Sequence, residues 1–244
     1  MKVAFLGATK GMGRAHARAM ARRGDELVLL GRDEEDLRRS AADLAADGQA
    51  PRGTAHADLE DPATFGPALD AAERALGGLD AVVVTAGLFA TQDRLEDDLA
   101  LCARVLTVDF TNTVVFCEEA KRRLLARGGG TLCVFSSVAG ERGRKPVILY
   151  GAAKAGLSRY LEGLDHKHRA QGLRVVTVKP GFVKTAMTQG LMAPPFAGEP
   201  EQVAARALRA IDAGTPVVYA PAAWGPIMAT IRALPRAVMR RVAF

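Results

Sequence analysis

Tyr150 and Lys154 stand four residues apart in Tyr150-Gly151-Ala152-Ala153-Lys154, the spacing that puts two side chains on one face of a helix. A free phenol titrates at about 10. An ammonium one turn away stabilises the phenolate, and the resulting shift toward neutrality suits a general acid/base. Ser137 lies 13 residues before Tyr150. It follows an apolar run, and its hydroxyl could hold a carbonyl oxygen while Tyr150 supplies the proton. Its neighbour Ser136 reads as structural, and either serine could instead bond its own turn. Tyr-x-x-x-Lys alone arises by chance, so its weight depends on what accompanies it.

A glycine loop accompanies it. Gly7-Ala8-Thr9-Lys10-Gly11-Met12-Gly13 directly follows the apolar run 3–6 and opens a helical pattern. Glycine allows positive φ and a close backbone approach to a pyrophosphate, and a helix N-terminus offers free N–H groups. Gly7, Thr9, Lys10, Gly11, Met12 and Gly13 are therefore candidates for cofactor binding. The spacing is G-x-x-x-G-x-G rather than the commoner G-x-G-x-x-G. At the tip of the next run, Leu30-Gly31-Arg32-Asp33, an acid that would bind the ribose 2′-hydroxyl of NAD is replaced by Gly31 and Arg32. A guanidinium pairs with a 2′-phosphate, and Lys10 could reach the same group. The expected cofactor is NADP(H). Asp33 is the residue that would favour NAD(H), and Arg32 could instead pair on the surface with Asp33 or Glu35.

A further segment, Lys179-Pro180-Gly181-Phe182-Val183-Lys184-Thr185, marks a sharp turn after another apolar run. The Val183 backbone and the Thr185 hydroxyl could hold a carboxamide. Residues 186–200, rich in Met, Gly and Pro, suit a substrate lid.

These residues need a frame. Apolar runs at 3–6, 26–30, 54–57, 81–85, 131–135, 174–178 and 217–219 alternate with helical patterns at 12–23, 34–47, 63–76, 95–126, 149–170 and 201–213. Such alternation predicts one α/β domain over 1–244, a doubly wound Rossmann-type fold with a mostly parallel seven-stranded sheet and helices on both faces. Ligands in such sheets bind beyond the carboxyl ends of the strands.

Composition narrows the class. Hydrophobic residues make up 49% of 244, with 25 Gly, 12 Pro and no low-complexity run. That predicts a sizeable core with little disorder. Cys102, Cys117 and Cys133 form no C-x-x-C pair, so no metal site or disulfide framework is expected, and reduced thiols suit a cytoplasmic protein. No signal peptide is recognised, and no apolar stretch is expected to reach the roughly 18 residues of a spanning helix. The net charge is +6. The last acid is Asp212, after which Arg232, Arg236, Arg240 and Arg241 stand unopposed. The clustering is too local for a nucleic-acid surface. In the segment 222–244, Trp224, Ile227, Met228, Ile231 and Leu234 recur at helical spacing. This basic amphipathic tail could lie on an anionic membrane surface, or pack on the core or another subunit.

Taken together, the glycine loop, Thr85-Ala86-Gly87, Ser137, Tyr150, Lys154 and Pro180-Gly181 resemble the single-domain short-chain dehydrogenase/reductase family over nearly the whole chain. The resemblance implies hydride transfer between a nicotinamide and a carbonyl or alcohol carbon. It gives Ser137 the substrate oxygen, Tyr150 the proton, and Lys154 both the tuning of Tyr150 and the nicotinamide ribose. It adds Asp58 and its neighbour Leu59 at the adenine, and Ala86 and Gly87 along the cofactor. The expected substrate is a small carbonyl or alcohol, and the expected assembly is a homodimer or homotetramer through helices at about 107–126 and 149–170. Three positions depart from the family. Leu6 replaces a Thr. Val84-Thr85 replaces Asn-Asn, which should remove side-chain ties between strands. Asp109 stands where the family has a catalytic Asn in a proton relay, and its charge should raise the pKa of Lys154. Ser136 through Arg142, Val178-Lys179-Pro180-Gly181 and the ending from Val218 to Arg236 are also similar to the reductases of decaprenylphosphoryl keto-ribose, which implies a keto-sugar on a polyprenyl phosphate. The competing reading is a non-catalytic NADP(H)-binding regulator on the same fold, which would have no need of Ser137, Tyr150 and Lys154 together.

Overall fold

The strands are β1 (Lys2–Leu6), β2 (Glu26–Gly31), β3 (Gly53–His56), β4 (Ala81–Val84), β5 (Gly130–Phe135), β6 (Leu173–Pro180) and β7 (Val217–Ala220). In this computed structural model, which describes residues 1–194 and 196–242, they form one sheet in the order β3-β2-β1-β4-β5-β6-β7. Every pairing is parallel. Pro195 of the expected lid and residues 243–244 of the expected tail lie outside the described residues. The helices are α1 (Gly11–Arg22), α2 (Glu34–Ala46), α3 (Phe65–Leu76), α4 (Gln92–Asp97), α5 (Leu99–Leu106), α6 (Thr113–Ala126), α7 (Ile148–His168), α8 (Pro200–Ala213), α9 (Trp224–Ala233) and α10 (Arg236–Met239).

Strands covered on both faces need apolar side chains on both, and β4 is buried at all four positions. One core layer joins Ala4, Leu6 and Val82 to Leu69 of α3, Phe116 of α6 and Leu157 of α7. The other joins Val3, Phe5 and Val83 to Met20 of α1, Leu37 of α2 and Val203 of α8. The order in which successive strands are added reverses between β1 and β4, so a crevice opens at their carboxyl ends. The glycine loop and Ala86-Gly87 leave the sheet at that crevice.

The helical stretch Leu99–Ala126 corrects one expectation. It runs for 28 residues and contains an 18-residue window of mean hydropathy 1.5, long and apolar enough by that measure to cross a membrane. Its interior carries the buried Asp109, and Phe116, Cys117 and Ala120 pack on the sheet. A helix laid on a core needs such a face without any bilayer. It is interrupted by a π-helical turn, Thr107–Asn112, which contains Asp109.

The tail also takes a definite place. Met228 is fully buried, and Trp224, Ile227, Ile231 and Leu234 are half-buried. The apolar stripe is thus turned toward the domain. Trp224 fills the space beside Gly181, where an added Cβ would lie 2.0 Å from the indole nitrogen.

Candidate active site

The first strand ends in a loop that only glycine can form. Gly7 has φ of 93°, and a Cβ there would lie 2.4 Å from the Ala86 nitrogen. A Cβ on Gly13 would lie 2.0 Å from the Gly7 carbonyl oxygen. The backbone therefore closes into a bare cradle at the start of α1. Thr85 ties this cradle to β4, because its hydroxyl donates to the Gly7 carbonyl at 2.9 Å. That corrects the expectation that Val84-Thr85 would lose the ties between strands. The threonine hydroxyl bonds the neighbouring loop from the end of β4.

A cleft of about 320 Å³ opens on the cradle. Gly7, Thr9, Lys10, Arg32, Asp58, Leu59, Ala86 and Gly87 line it, as the sequence suggests. Asp36, Glu60, Leu88, Val108 and Met187 line it as well, and sequence reading had missed them. Gly11, Met12, Gly13, Pro180, Gly181, Val183 and Thr185 stand outside that lining. Gly11 and Thr185 nonetheless meet, with a Cβ on Gly11 3.3 Å from the Thr185 methyl. Val183 is buried, and Gly181 bonds back to Ala220, so this turn shapes the rim. The expected lid is anchored where it begins and ends. Gly198 N–H donates to the Phe182 carbonyl at 2.8 Å, and Lys184 N–H donates to Gly198 at 3.0 Å.

The basic residues of the cleft are paired in a way the sequence did not suggest. Arg32 reaches Glu60 at 3.0 Å rather than Asp33 or Glu35. Lys10 pairs with Asp36. Asp33 instead caps α2, accepting from the Asp36 N–H at 2.8 Å, and that bond holds its carboxyl below the usual range. The acid nearest the strand tip is therefore engaged by the helix end. Arg32 and Lys10 have side chains 59% and 73% exposed, so their ion pairs are weak enough to be exchanged for a phosphate.

Beyond Gly87 lies the candidate catalytic group. Tyr150 sits in the first turn of α7 with Lys154 one turn on, and Lys154 Nζ is 5.6 Å from the phenol ring centroid. Phe89 stands edge-on to Tyr150 with centroids 5.1 Å apart. Ser136 is structural: its buried hydroxyl donates to the Lys154 carbonyl at 3.0 Å and pairs with Ser158 at 2.8 Å, which docks α7 on β5. Ser137 accepts from the Ala139 N–H at 3.1 Å and fixes the turn after β5. Its hydroxyl also favours the phenolate of Tyr150.

Asp109 meets this group from the π-helical turn, a distortion often found at functional sites. Its Oδ1 accepts from Leu88 N–H at 2.9 Å and from Lys154 Nζ at 3.3 Å. Its Oδ2 is buried without a partner among the described residues. Gly87 is required here, since a Cβ would lie 2.7 Å from Asp109 Oδ1. Burial raises the Asp109 pKa against the pull of Lys154. Lys154 is raised despite its burial, because Asp109 and Tyr150 favour the ammonium. Tyr150 departs from the expectation of a phenol tuned toward neutrality. Burial, with the Asp109 charge, raises its pKa and outweighs the lowering by Lys154 and Ser137. The protein without cofactor thus keeps Tyr150 as a protonated donor.

The comparisons with known proteins agree with this geometry. The family model for short chain dehydrogenases matches residues 2–194, and the chain belongs to that family. It is similar to an uncharacterized oxidoreductase of Mycobacterium tuberculosis, 35% identical over 98% of this chain and 96% of that protein. It is also similar to the cis-4-hydroxycyclohexanecarboxylate dehydrogenase of Sinomonas cyclohexanicum, 32% identical over 77% of this chain and 75% of the relative. Among solved structures, a short chain dehydrogenase of Burkholderia cenocepacia in complex with NADP superposes with a TM-score of 0.79 at 26% identity, over 89% of this chain and 95% of that one. The protein is an oxidoreductase of this family with its seven-stranded Rossmann-type fold.

Proposed function

We propose that the chain is a cytoplasmic, NADP(H)-dependent carbonyl reductase that interconverts a small ketone and its secondary alcohol. The observation that carries this reading is the group Ser137, Tyr150 and Lys154 meeting Gly87, where a Cβ would lie 3.4 Å from Lys154 Nζ, while Gly87 itself lines the cleft shared by Gly7, Lys10 and Arg32. The bare cradle at Gly7 and Gly13 fits a pyrophosphate, and Arg32 with Lys10 fits a 2′-phosphate. The bound nicotinamide supplies or takes the hydride. Ser137 holds the substrate oxygen, and Tyr150 gives it a proton through the phenol. Lys154 offsets the charge left on Tyr150 and holds the ribose, while Asp109 passes protons toward Lys154 in place of the family Asn. Adenine contacts fall to Asp58 and Leu59, and the nicotinamide carboxamide to Val183 and Thr185. Secondary alcohols on a ring are favoured because a relative bears the name of a hydroxycyclohexanecarboxylate dehydrogenase. Keto-sugars belong to the same chemical class. The exposed Leu99, Phe110 and Val115 on the long helix favour assembly with further copies.

The test is a fluorescence titration with NADPH and NADH side by side. Tight binding of NADPH with weak binding of NADH is expected. Preference for NADH would overturn the role of Arg32, and binding of neither would overturn the reductase reading.

A further inference from the structure

The loop that joins Ser137 to Tyr150 carries three cations, Arg142, Arg144 and Lys145, and two of them have a clear structural duty. Arg142 donates to the Leu234 carbonyl at 2.9 Å, and Lys145 donates to the Arg240 carbonyl at 2.8 Å. At the start of the loop, the Glu141 carboxylate, 5% exposed, takes Lys179, Arg232 and the Tyr219 hydroxyl together. The loop is therefore clasped to the end of the chain at Glu141, Arg142 and Lys145. Far from flapping between two catalytic residues, it is held in one place.

Arg144 takes no part in the clasp. Its carbonyl accepts from Val147 N–H at 3.2 Å, but its guanidinium Nε has no partner among the described residues. It is half-buried, and its Nε is closed off from solvent with no acceptor. Burial weakens its hold on its proton, and no carboxylate opposes that effect. A guanidinium has five donors and accepts nothing. Holding one partly desolvated with no counter-charge is unfavourable unless something else completes the site.

We propose that Arg144 binds an oxyanion, a carboxylate or a phosphate ester, on the same molecule whose carbonyl oxygen Ser137 and Tyr150 hold. The inference deepens the reductase reading and rests on it. The planar fork of a guanidinium matches either oxyanion through two parallel hydrogen bonds. The clasped loop supplies the preorganisation, because the binding geometry is fixed before the ligand arrives. Phe89, edge-on to Tyr150, offers an apolar wall beside the carbonyl end of such a molecule.

Binding alone tests this, with no turnover needed. Calorimetric titrations of the full chain, with and without NADPH, would use cyclohexanecarboxylate, cyclohexyl phosphate and cyclohexanol. At least one anionic probe is expected to bind tenfold or more tightly than cyclohexanol. That ratio should fall at least tenfold in Arg144→Ala and in Arg144→Gln, and recover in part in Arg144→Lys. The ratio cancels general damage to the pocket, and the Gln variant keeps the loop polar should the Ala variant fail to fold. A wild-type protein that does not prefer either anion would overturn the proposal, as would a ratio unchanged in the variants. Failure of NADPH to bind would strike the reductase reading and leave the result without NADPH to judge Arg144.

Discussion

Lys154 Nζ lies 3.3 Å from Asp109 Oδ1 in a place where the two side chains are 5% and 0% exposed. This pair sets the charge around Tyr150. An ionised Asp109 stabilises the ammonium of Lys154 and the neutral phenol of Tyr150, so both groups hold their protons to higher pH. Asp109→Asn removes the negative charge and keeps the shape. Tyr150 should then lose its proton at lower pH, and the alkaline limb of ketone reduction should move acidward. A pH–rate profile of both proteins checks this. An unmoved limb would mean that Asp109 carries no charge in that range.

Arg32 and Glu60 make an exposed ion pair at 3.0 Å that a 2′-phosphate can displace. Arg32→Ala should weaken NADPH roughly tenfold or more, the scale of a charge-assisted hydrogen bond. NADH, which lacks that phosphate, should change less than about twofold by the same argument. Parallel titrations decide, and equal losses would refute the contact.

Thr85 bonds the Gly7 carbonyl at 2.9 Å from across the crevice. Thr85→Val keeps the volume and deletes the bond, at a cost of about 1 kcal/mol. The cradle should loosen, so cofactor affinity should fall roughly fivefold for NADPH and NADH alike. Differential loss would mean that the threonine acts on the 2′-phosphate side instead.

His16 is fully buried between Phe5 and Phe135, and both ring nitrogens lack partners among the described residues. Burial, aided by Arg23, lowers its pKa to about 4. Its folded-state pKa lies below its unfolded value, so its full contribution to stability is present above pH about 6.5 and is lost as pH falls toward 4. The loss in that window should approach about 3 kcal/mol. His16→Leu should flatten it, seen as denaturant midpoints at pH 7 and pH 5 drawing together relative to the wild type. An unchanged difference between the two pH values would contradict the assignment.

Local features of this protein were legible in its sequence, and distant pairings were not. Gly7, Gly11 and Gly13 declare themselves because a tight phosphate-binding turn admits no other residue at their spacing. Tyr150 and Lys154 follow from helical periodicity. The strand–helix alternation specified the sheet and its parallel pairing. The Thr85–Gly7 tie spans 78 positions, and the Arg232–Glu141 contact spans 91. No periodicity carries information over such distances. The π-helical turn at Asp109 was hidden for a different reason. It depends on Asp109 reaching both Leu88 and Lys154 at once, a tertiary demand that overrides local helix preference. For Arg32 the sequence offered a surface pair with Asp33 or Glu35 as the alternative to a 2′-phosphate, and the partner Glu60, which follows β3, was beyond its reach.

The most direct test of the account is Tyr150→Phe, read by turnover of a ketone and by NADPH binding on the same preparation. The substitution removes one oxygen and leaves the ring against Phe89. Turnover should fall by at least a thousandfold, on the order expected when a positioned general acid is lost together with its hold on the substrate oxygen, while NADPH affinity stays within about threefold. Substantial residual turnover with cofactor binding intact would remove Tyr150 from the chemistry and contradict the account.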